Sequence, residues 1–538
     1  MTNESGAADK VFSLGGAIRA AYRAGQEDEA LEPIIKVNDE GQPVGRIGRG
    51  DSVIFYDIRG EREIEITESL TDPDFPHFPV EKDLDPSFVT MIEYDPKLRA
   101  RPAFPKEEKI NNTLAEVIGK AGLRLAKIAE SEKEAHIGFF MNGKTDAVFP
   151  GEERVIVPSP EVLVNYDQRP EMSAALVADE VIKKIGEANI ELVIANFANV
   201  DVVGHIENKS AAVCAVETVD RELGRIVAEA RKQRLTLIVT ADHGTVEEWL
   251  YPDGTINTGH SKNPVPFILA DYSLEEPSGL SLRRSGELAD VAPTILELLR
   301  IEKPAEMTGQ SLLAKTTRGA KKRERIIILI LDGWGMRENP EGNLIAESAT
   351  PIFDGLWARF PRAFLQSSGE AVGMPPGTVG NSEAGHLHLG AGRRILLDRV
   401  RIDKAVEDRS FFANEAFRWA IQKAKQEHRG LHLMGIISHY SSHGTIKHLF
   451  ALLKLVKDAG VRDVYIHGFI GRRGEKPESG AIYVEKVEEM CRTLGVGEVV
   501  TVMGRYWALD REGNWVRVEK AYRALVYGQG TPVGGGEE

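Results

Sequence analysis

Short, uninterrupted apolar runs separated by helix-length stretches constrain this chain more than any other feature. Residues 192–197, 235–241 and 326–331 are rich in Val, Ile and Leu and show little alternation, which suits strands covered on both faces of a parallel sheet. Residues 136–142 fit the same description and are expected to be a strand. Between such runs, residues 172–188 and 210–234 have helical spacing and length, giving a βαβ pattern. A second series follows: strand 431–438, helix 448–459, strand 464–470, helix 479–494 and strand 498–503. A chain of 538 residues is too long for one ordinary core, so two α/β domains are expected. No short-period repeat is visible, which excludes solenoids and propellers.

Composition narrows the function classes. A hydrophobic share of 42% with 28% charged residues belongs to an ordered globular protein. The longest aliphatic run, 326–331, falls far short of the roughly 20 residues a spanning helix needs, and the first thirty residues hold no apolar signal core. Neither a membrane nor export is expected. Cys214 and Cys491 cannot build a disulfide framework, so the cytoplasm is the expected compartment. A net charge of −15 argues against nucleic acid as partner. Any anion must then be held by a local arginine cluster. The basic run 315–325 is expected to be a solvated linker. Residues 101–111 carry two prolines and a charge cluster before Thr113-Leu114-Ala115-Glu116, a capping-box start for a helix.

Carboxylates and imidazoles at strand ends are what hard divalent cations acting on phosphate require. Asp332 ends the run 326–331, Asp242 and His243 end the run 235–241, Asp201 and His205 follow the run 192–197, and His260 lies in Thr258-Gly259-His260-Ser261. Any one of these alone is more often a turn cap or a surface side chain; together they outgrow that explanation. Ser382 sits in the loop Gly380-Asn381-Ser382-Glu383-Ala384-Gly385-His386, where a helix can begin and backbone N–H groups can meet an anion. A plain helix N-cap serine is the competing reading. Arg59, Arg62, Arg473, Arg505 and Arg511 are candidate anion clamps, since planar bidentate donors suit phosphate and carboxylate. Residues 138–145 fit the phosphate-loop pattern letter for letter, but that pattern needs a strand before its first glycine and a helix opening at its lysine. Here the variable positions look strand-like and Pro150-Gly151 follows closely, so the match is rejected.

Together these residues resemble the cofactor-independent phosphoglycerate mutases of the alkaline-phosphatase superfamily. The resemblance covers nearly the whole chain in rotated order, with 325–533 like the family's N-terminal part and 13–313 like its C-terminal part, as in a circular permutant. It implies an alkaline-phosphatase-like, mostly parallel sheet sandwiched by helices, continuous over residues 106–400 with the linker 315–325 inside it. A smaller α/β substrate domain would be split between residues 1–105 and 401–538. It further implies two divalent metal ions, manganese above magnesium or zinc, and no 2,3-bisphosphoglycerate. Asp201, His205 and His260 would hold one ion; Asp332, Ser382, Asp242 and His243 the other. Ser382 would take the phosphoryl group from 3-phosphoglycerate as phosphoserine and return it to the 2-oxygen of glycerate. Lys133 would neutralise developing charge, and His443, Arg473, Arg505, Arg511, Arg59 and Arg62 would bind the small phosphorylated carboxylic acid. A monomer is expected.

Two departures stand out. A family carboxylate is missing at Gly474 in Arg472-Arg473-Gly474-Glu475, and the loop Ser438-His439-Tyr440-Ser441-Ser442-His443-Gly444-Thr445 keeps His443 in altered surroundings. They leave open a phosphatase or another phosphomutase, and, from another class, a non-catalytic phospho-ligand binding protein.

Overall fold

A computed structural model of the protein describes residues 13–106, 109–162, 165–273, 281–314, 325–439, 441, 443–471 and 478–534. The chain divides into two compact units, residues 107–400 on one side and residues 1–106 with 401–538 on the other. Each is an α/β unit built on an eight-stranded sheet.

In the unit 107–400 the strands are β1 (Leu125–Glu130), β2 (Glu152–Val157), β3 (Leu192–Phe197), β4 (Thr236–Thr240), β5 (Val265–Asp271), β6 (Ser285–Glu287), β7 (Ile326–Leu331) and β8 (Arg362–Gln366). Their order is β6-β8-β5-β4-β7-β3-β1-β2. Strands β4, β7, β3, β1 and β2 are mutually parallel, and β5 pairs antiparallel with both β4 and β8. Every residue of β1, β3, β4, β5 and β7 is buried, as strands covered on both faces must be; only β7 is apolar throughout, and Lys127, Glu130 and Asn196 are buried polar exceptions in β1 and β3. Helices Ala174–Gly186 and Lys209–Lys232 follow β2 and β3 with buried stripes. Ligands of open α/β sheets bind beyond the carboxyl ends of the strands, and that is where this unit concentrates its polar side chains.

The unit 1–106/401–538 has strand order Thr531–Val533, Ile34–Lys36, Glu498–Gly504, Val464–Ile470, Leu431–Ile436, Ser52–Phe55, Ser87–Ile92 and Arg101–Phe104. The last six are parallel. Ile34–Lys36 runs antiparallel to Glu498–Gly504.

Several expectations need correction. Residues 136–140 form a single π-helical turn, not a strand; the run is too short and too aromatic for its pattern to tell helix from strand. The phosphate-loop match still fails, because Gly138 lies inside the turn 136–140 with no strand leading directly into it, and Lys144 is left-handed at φ 62°. Thr113 precedes helix Leu114–Lys120, yet makes no side-chain cap. Glu116 accepts instead from Asn112 N at 2.5 Å. Residues 315–324 of the basic run lie outside the described residues. Arg325 is no solvated linker residue: it donates to the carbonyls of Ile185, Glu187 and Ile190. Among the described residues no helix is long and apolar enough to cross a membrane.

Candidate active site

The parallel strands deliver the chemistry at their carboxyl ends. Asp332 follows β7, Asp242 and His243 follow β4, Asp201 lies in the helix Asn199–Gly204 after β3, and Lys133 is in the turn after β1. Ser382 is the first residue of the helix Ser382–Ala391, with Asn381 as N-cap accepting from Ala384 N. The plain N-cap reading is therefore wrong by one residue: Asn381 occupies the cap, and the Ser382 hydroxyl is free for other partners. Two glycines allow the close approach. A Cβ at Gly333, which has φ +83°, would meet Asp201 backbone at 2.8 Å, and one at Gly385 would meet Asp242 at 2.7 Å.

Lys133 Nζ donates to Asp201 Oδ2 (2.6 Å), Asp332 Oδ1 (2.9 Å) and Ser382 Oγ (2.8 Å). Ser382 Oγ also lies 3.0 Å from His243 Nε2 and donates to Asp332 Oδ1 at 3.2 Å. His205 and His260 donate from Nδ1 to the carbonyls of Thr258 and Gly380, both at 2.7 Å. Those bonds turn both Nε2 atoms inward, 3.1 Å apart and 3.3 and 3.2 Å from Asp201 Oδ1. All seven side chains expected as metal ligands thus converge, together with Lys133.

This donor set fits cations. Asp201 Oδ1 and Asp242 Oδ2 are buried without a hydrogen-bond partner. Three carboxylates face a single ammonium, an uncompensated buried charge that burial makes costly. Opposed imidazole nitrogens admit one proton between them. Asp201, whose Oδ1 lies 3.3 Å from His205 Nε2, raises the His205 pKa, and a divalent ion would displace that proton. Burial works against the Lys133 ammonium, but Asp332, Asp201 and Asp242 overcome it and hold its pKa above normal. Burial and the Asp242 charge push Asp332 up; Asp201 is pulled well below its usual range by Lys133 and His243 against its own burial.

Two further residues belong to the site: Asn196, which no motif announced, and His386, which closes the loop 380–386 and had no role assigned. Asn196, inside β3, donates to Asp332 Oδ2 at 2.7 Å and meets His386 Nε2 at 3.0 Å. His386 Nδ1 faces Ser382 O at 2.9 Å and Asp242 Oδ2 at 3.2 Å. His386, Asp242 and Asp332 also form a possible ligand group, but both ring nitrogens of His386 are engaged elsewhere, which suits a support rather than a ligand. Polar Asn196 in an otherwise apolar strand was the available signal.

The other unit gathers the arginines. Burial and then the charges of Arg511, Arg505 and Arg59 lower the Arg62 pKa, so four guanidinium groups share one neighbourhood. Arg62 donates to Leu509 O, Arg505 to Glu29 and Arg511 to Glu61. His443 is fully buried against Glu63. Arg473 and Gly474 lie outside the described residues.

Known proteins agree with this chemistry. Residues 28–303, just over half of the chain, match the model of the metalloenzyme superfamily, and residues 402–535 match that of the BPG-independent PGAM N-terminus. Asp201, His205, Asp242, His243 and His260 fall within the first match. The 2,3-bisphosphoglycerate-independent phosphoglycerate mutase of Moorella thermoacetica is 44% identical over 313 residues, 58% of this chain and 59% of that protein. Phosphoglycerate mutase 1 of the same kind from Methanosarcina barkeri is 42% identical over 300 residues, 56% and 57% of the two chains. The matched stretch thus spans less than two thirds of these relatives. A crystal structure of Leishmania mexicana phosphoglycerate mutase at low cobalt concentration aligns at 26% identity over 52% of this chain and 53% of that one, with a TM-score of 0.37, too distant to argue from. The chain belongs to the metalloenzyme superfamily and is similar to the bisphosphoglycerate-independent phosphoglycerate mutases within it.

Proposed function

We propose that the protein is a metal-dependent, 2,3-bisphosphoglycerate-independent phosphoglycerate mutase that interconverts 3- and 2-phosphoglycerate through phosphoserine at Ser382. The carrying observation is that Ser382 Oγ has Lys133 Nζ, His243 Nε2 and Asp332 Oδ1 within 3.2 Å, beside two sets of converging lone pairs. Asp201, His205 and His260 would hold one divalent cation and Asp332, Asp242, His243 and Ser382 the other; manganese is our choice for these oxygen and imidazole donors. When bound, the cations would draw charge from phosphoryl oxygens and lower the Ser382 pKa.

The residues themselves do the rest. Lys133 offsets charge on the phosphoryl oxygens and aims the serine hydroxyl. Ser382, as first residue of its helix, offers the transferred group that helix's free N–H donors and dipole. With 6% exposure, Ser382 is shielded from water, which favours return of the phosphoryl group to glycerate over its hydrolysis. Arg59, Arg62, Arg505 and Arg511, with Arg473 and His443, are the proposed holders of the substrate's anionic and hydroxyl groups.

The rotated order is also part of this reading: the model described as an N-terminus matches 402–535, after the metalloenzyme match at 28–303. Incubation with 3-phosphoglycerate and manganese is expected to yield 2-phosphoglycerate, and Ser382→Ala to lose turnover while keeping bound metal. No product across several divalent metals would sink the proposal.

A further inference from the structure

Glu247 lies in the turn Val246–Glu248, soon after β4 and His243, and is fully buried. Its carboxyl group accepts from two segments of the unit 107–400. Oε2 accepts from Thr245 N at 2.8 Å; Oε1 accepts from Asn263 Nδ2 at 3.0 Å and from the Ser261 hydroxyl. Thr245 stands two residues after His243, and Ser261 directly follows His260. Ser261 N donates in turn to Gly244 O at 3.0 Å, closing the two segments on each other. A third segment is held by contact alone. A Cβ at Gly335, three residues after Asp332, would collide with the Glu247 carboxyl group, and so would one at Gly244. The segments that carry His243, His260 and Asp332 therefore close around one side chain.

These contacts bear on where the imidazole nitrogens point. His243 turns Nε2 toward Ser382 Oγ, while its Nδ1 lies 3.3 Å from both Thr245 Oγ1 and Gly244 O. Glu247 holds the backbone of that same threonine. His260 Nδ1 is fixed by Gly380 O, and the next residue in the chain is tied to Glu247. A group that orients a ligand's second nitrogen decides where its first one points. Packing alone would not ask for a carboxyl group in this place, because burying one is costly unless its oxygens are satisfied. Here both oxygens are used, each on a segment that carries a histidine of the site.

We propose that Glu247 is a positioning residue shared by both cation sets: through Ser261 it places His260, of the set Asp201, His205 and His260, and through Thr245 it places His243, of the set Asp332, Asp242, His243 and Ser382. This rests on the metal-dependent reading above. Glu247 itself holds neither ion and takes no part in phosphoryl transfer. Its removal loosens both sets, whereas removal of one of its partners loosens one.

Site-resolved manganese binding by the full chain tests this. Anomalous difference density from crystals soaked at graded manganese concentrations gives the occupancy of each set separately, and calorimetric titration gives the affinities in solution. Wild-type protein is expected to fill both sets. Glu247→Ala should lose affinity at both by on the order of 10–100-fold. Ser261→Ala should weaken the His260 set about tenfold and leave the other within about twofold, and Thr245→Val should do the reverse. Added to Glu247→Ala, Ser261→Ala should change affinity by less than about a further twofold, because the residue it acts through is already gone. Glu247→Gln keeps one oxygen for Thr245 N–H, and its amide can donate to a turned Ser261 hydroxyl; it should stay within about tenfold of wild type at both sets. Full affinity in Glu247→Ala overturns the proposal, as do losses that fall equally on both sets in every variant and track the melting temperature. If Glu247→Ala does not fold, Ser261→Ala and Thr245→Val decide, and equal effects of each on both sets overturn it. Wild-type protein that binds no manganese at either set overturns the metal-dependent reading instead.

Discussion

Asn196 donates to Asp332 Oδ2 across 2.7 Å from within strand β3, with both side chains sealed from solvent. The same amide nitrogen meets His386, whose other ring nitrogen faces the Ser382 carbonyl and Asp242. One interior amide therefore ties two carboxylates to the first turn of the nucleophile's helix. Asn196→Leu is expected to leave both partners unmatched, costing about 2–5 kcal/mol and weakening metal binding about 10–100-fold. Thermal melts and calorimetric manganese titration measure the two effects, and intact affinity would count against the support role.

Lys133 separates electrostatics from chemistry. Lys133→Met removes the ammonium shared by Asp201 and Asp332, and an unpaired buried charge is worth about 3–5 kcal/mol. The metal-free variant should melt well below wild type. Added manganese should restore most of the lost melting temperature while leaving kcat depressed, because ions can offset the carboxylates but cannot aim the serine hydroxyl.

Removing metal from wild-type protein should itself be destabilising. The inward-turned nitrogens of His205 and His260 stand 3.1 Å apart, and binding at 100 times the dissociation constant contributes about 2.7 kcal/mol. Melts in chelator against melts in excess manganese give the difference. His260→Ala should shrink it.

Glu130 predicts an unusual pH response. Burial lifts its carboxyl from 4.5 to about 7, while the Ser173 N–H pulls the other way. Its folded pKa is raised, so the folded state holds the proton more tightly. The contribution is full below about pH 4.5 and is lost as pH rises through 7, up to about 3 kcal/mol. Metal-loaded Glu130→Gln should therefore melt a few degrees above wild type at pH 8 and close to it at pH 4.5. Equal melting at both pH values would place the carboxyl in water.

How legible the molecule was depends on how local its determinants are. Strands 326–331, 192–197 and 464–470 were readable to the residue, because a buried parallel strand needs continuous apolar sequence. The turn at 136–140 was not, since His-Ile-Gly-Phe-Phe offers the same apolarity to either geometry. Asp332, Asp242, His243 and Asp201 were legible as strand-end motifs. His386 was not: it lies one helical turn after Ser382, on the face that meets Asn196 from 190 residues away. The Glu63–His443 pair, separated by 380 residues, needs the fold of its unit to exist at all.

The guanidinium groups around Arg62 carry one more consequence. Arg59, Arg505 and Arg511 press like charge upon it, while Arg505 leans on Glu29 and Arg511 on Glu61, so an anion arriving beside Arg62 meets positive charge that these carboxylates only partly offset. Citrate, sulfate or phosphate buffers would act both as ballast for the unit that holds Arg62 and as rivals of its ligand.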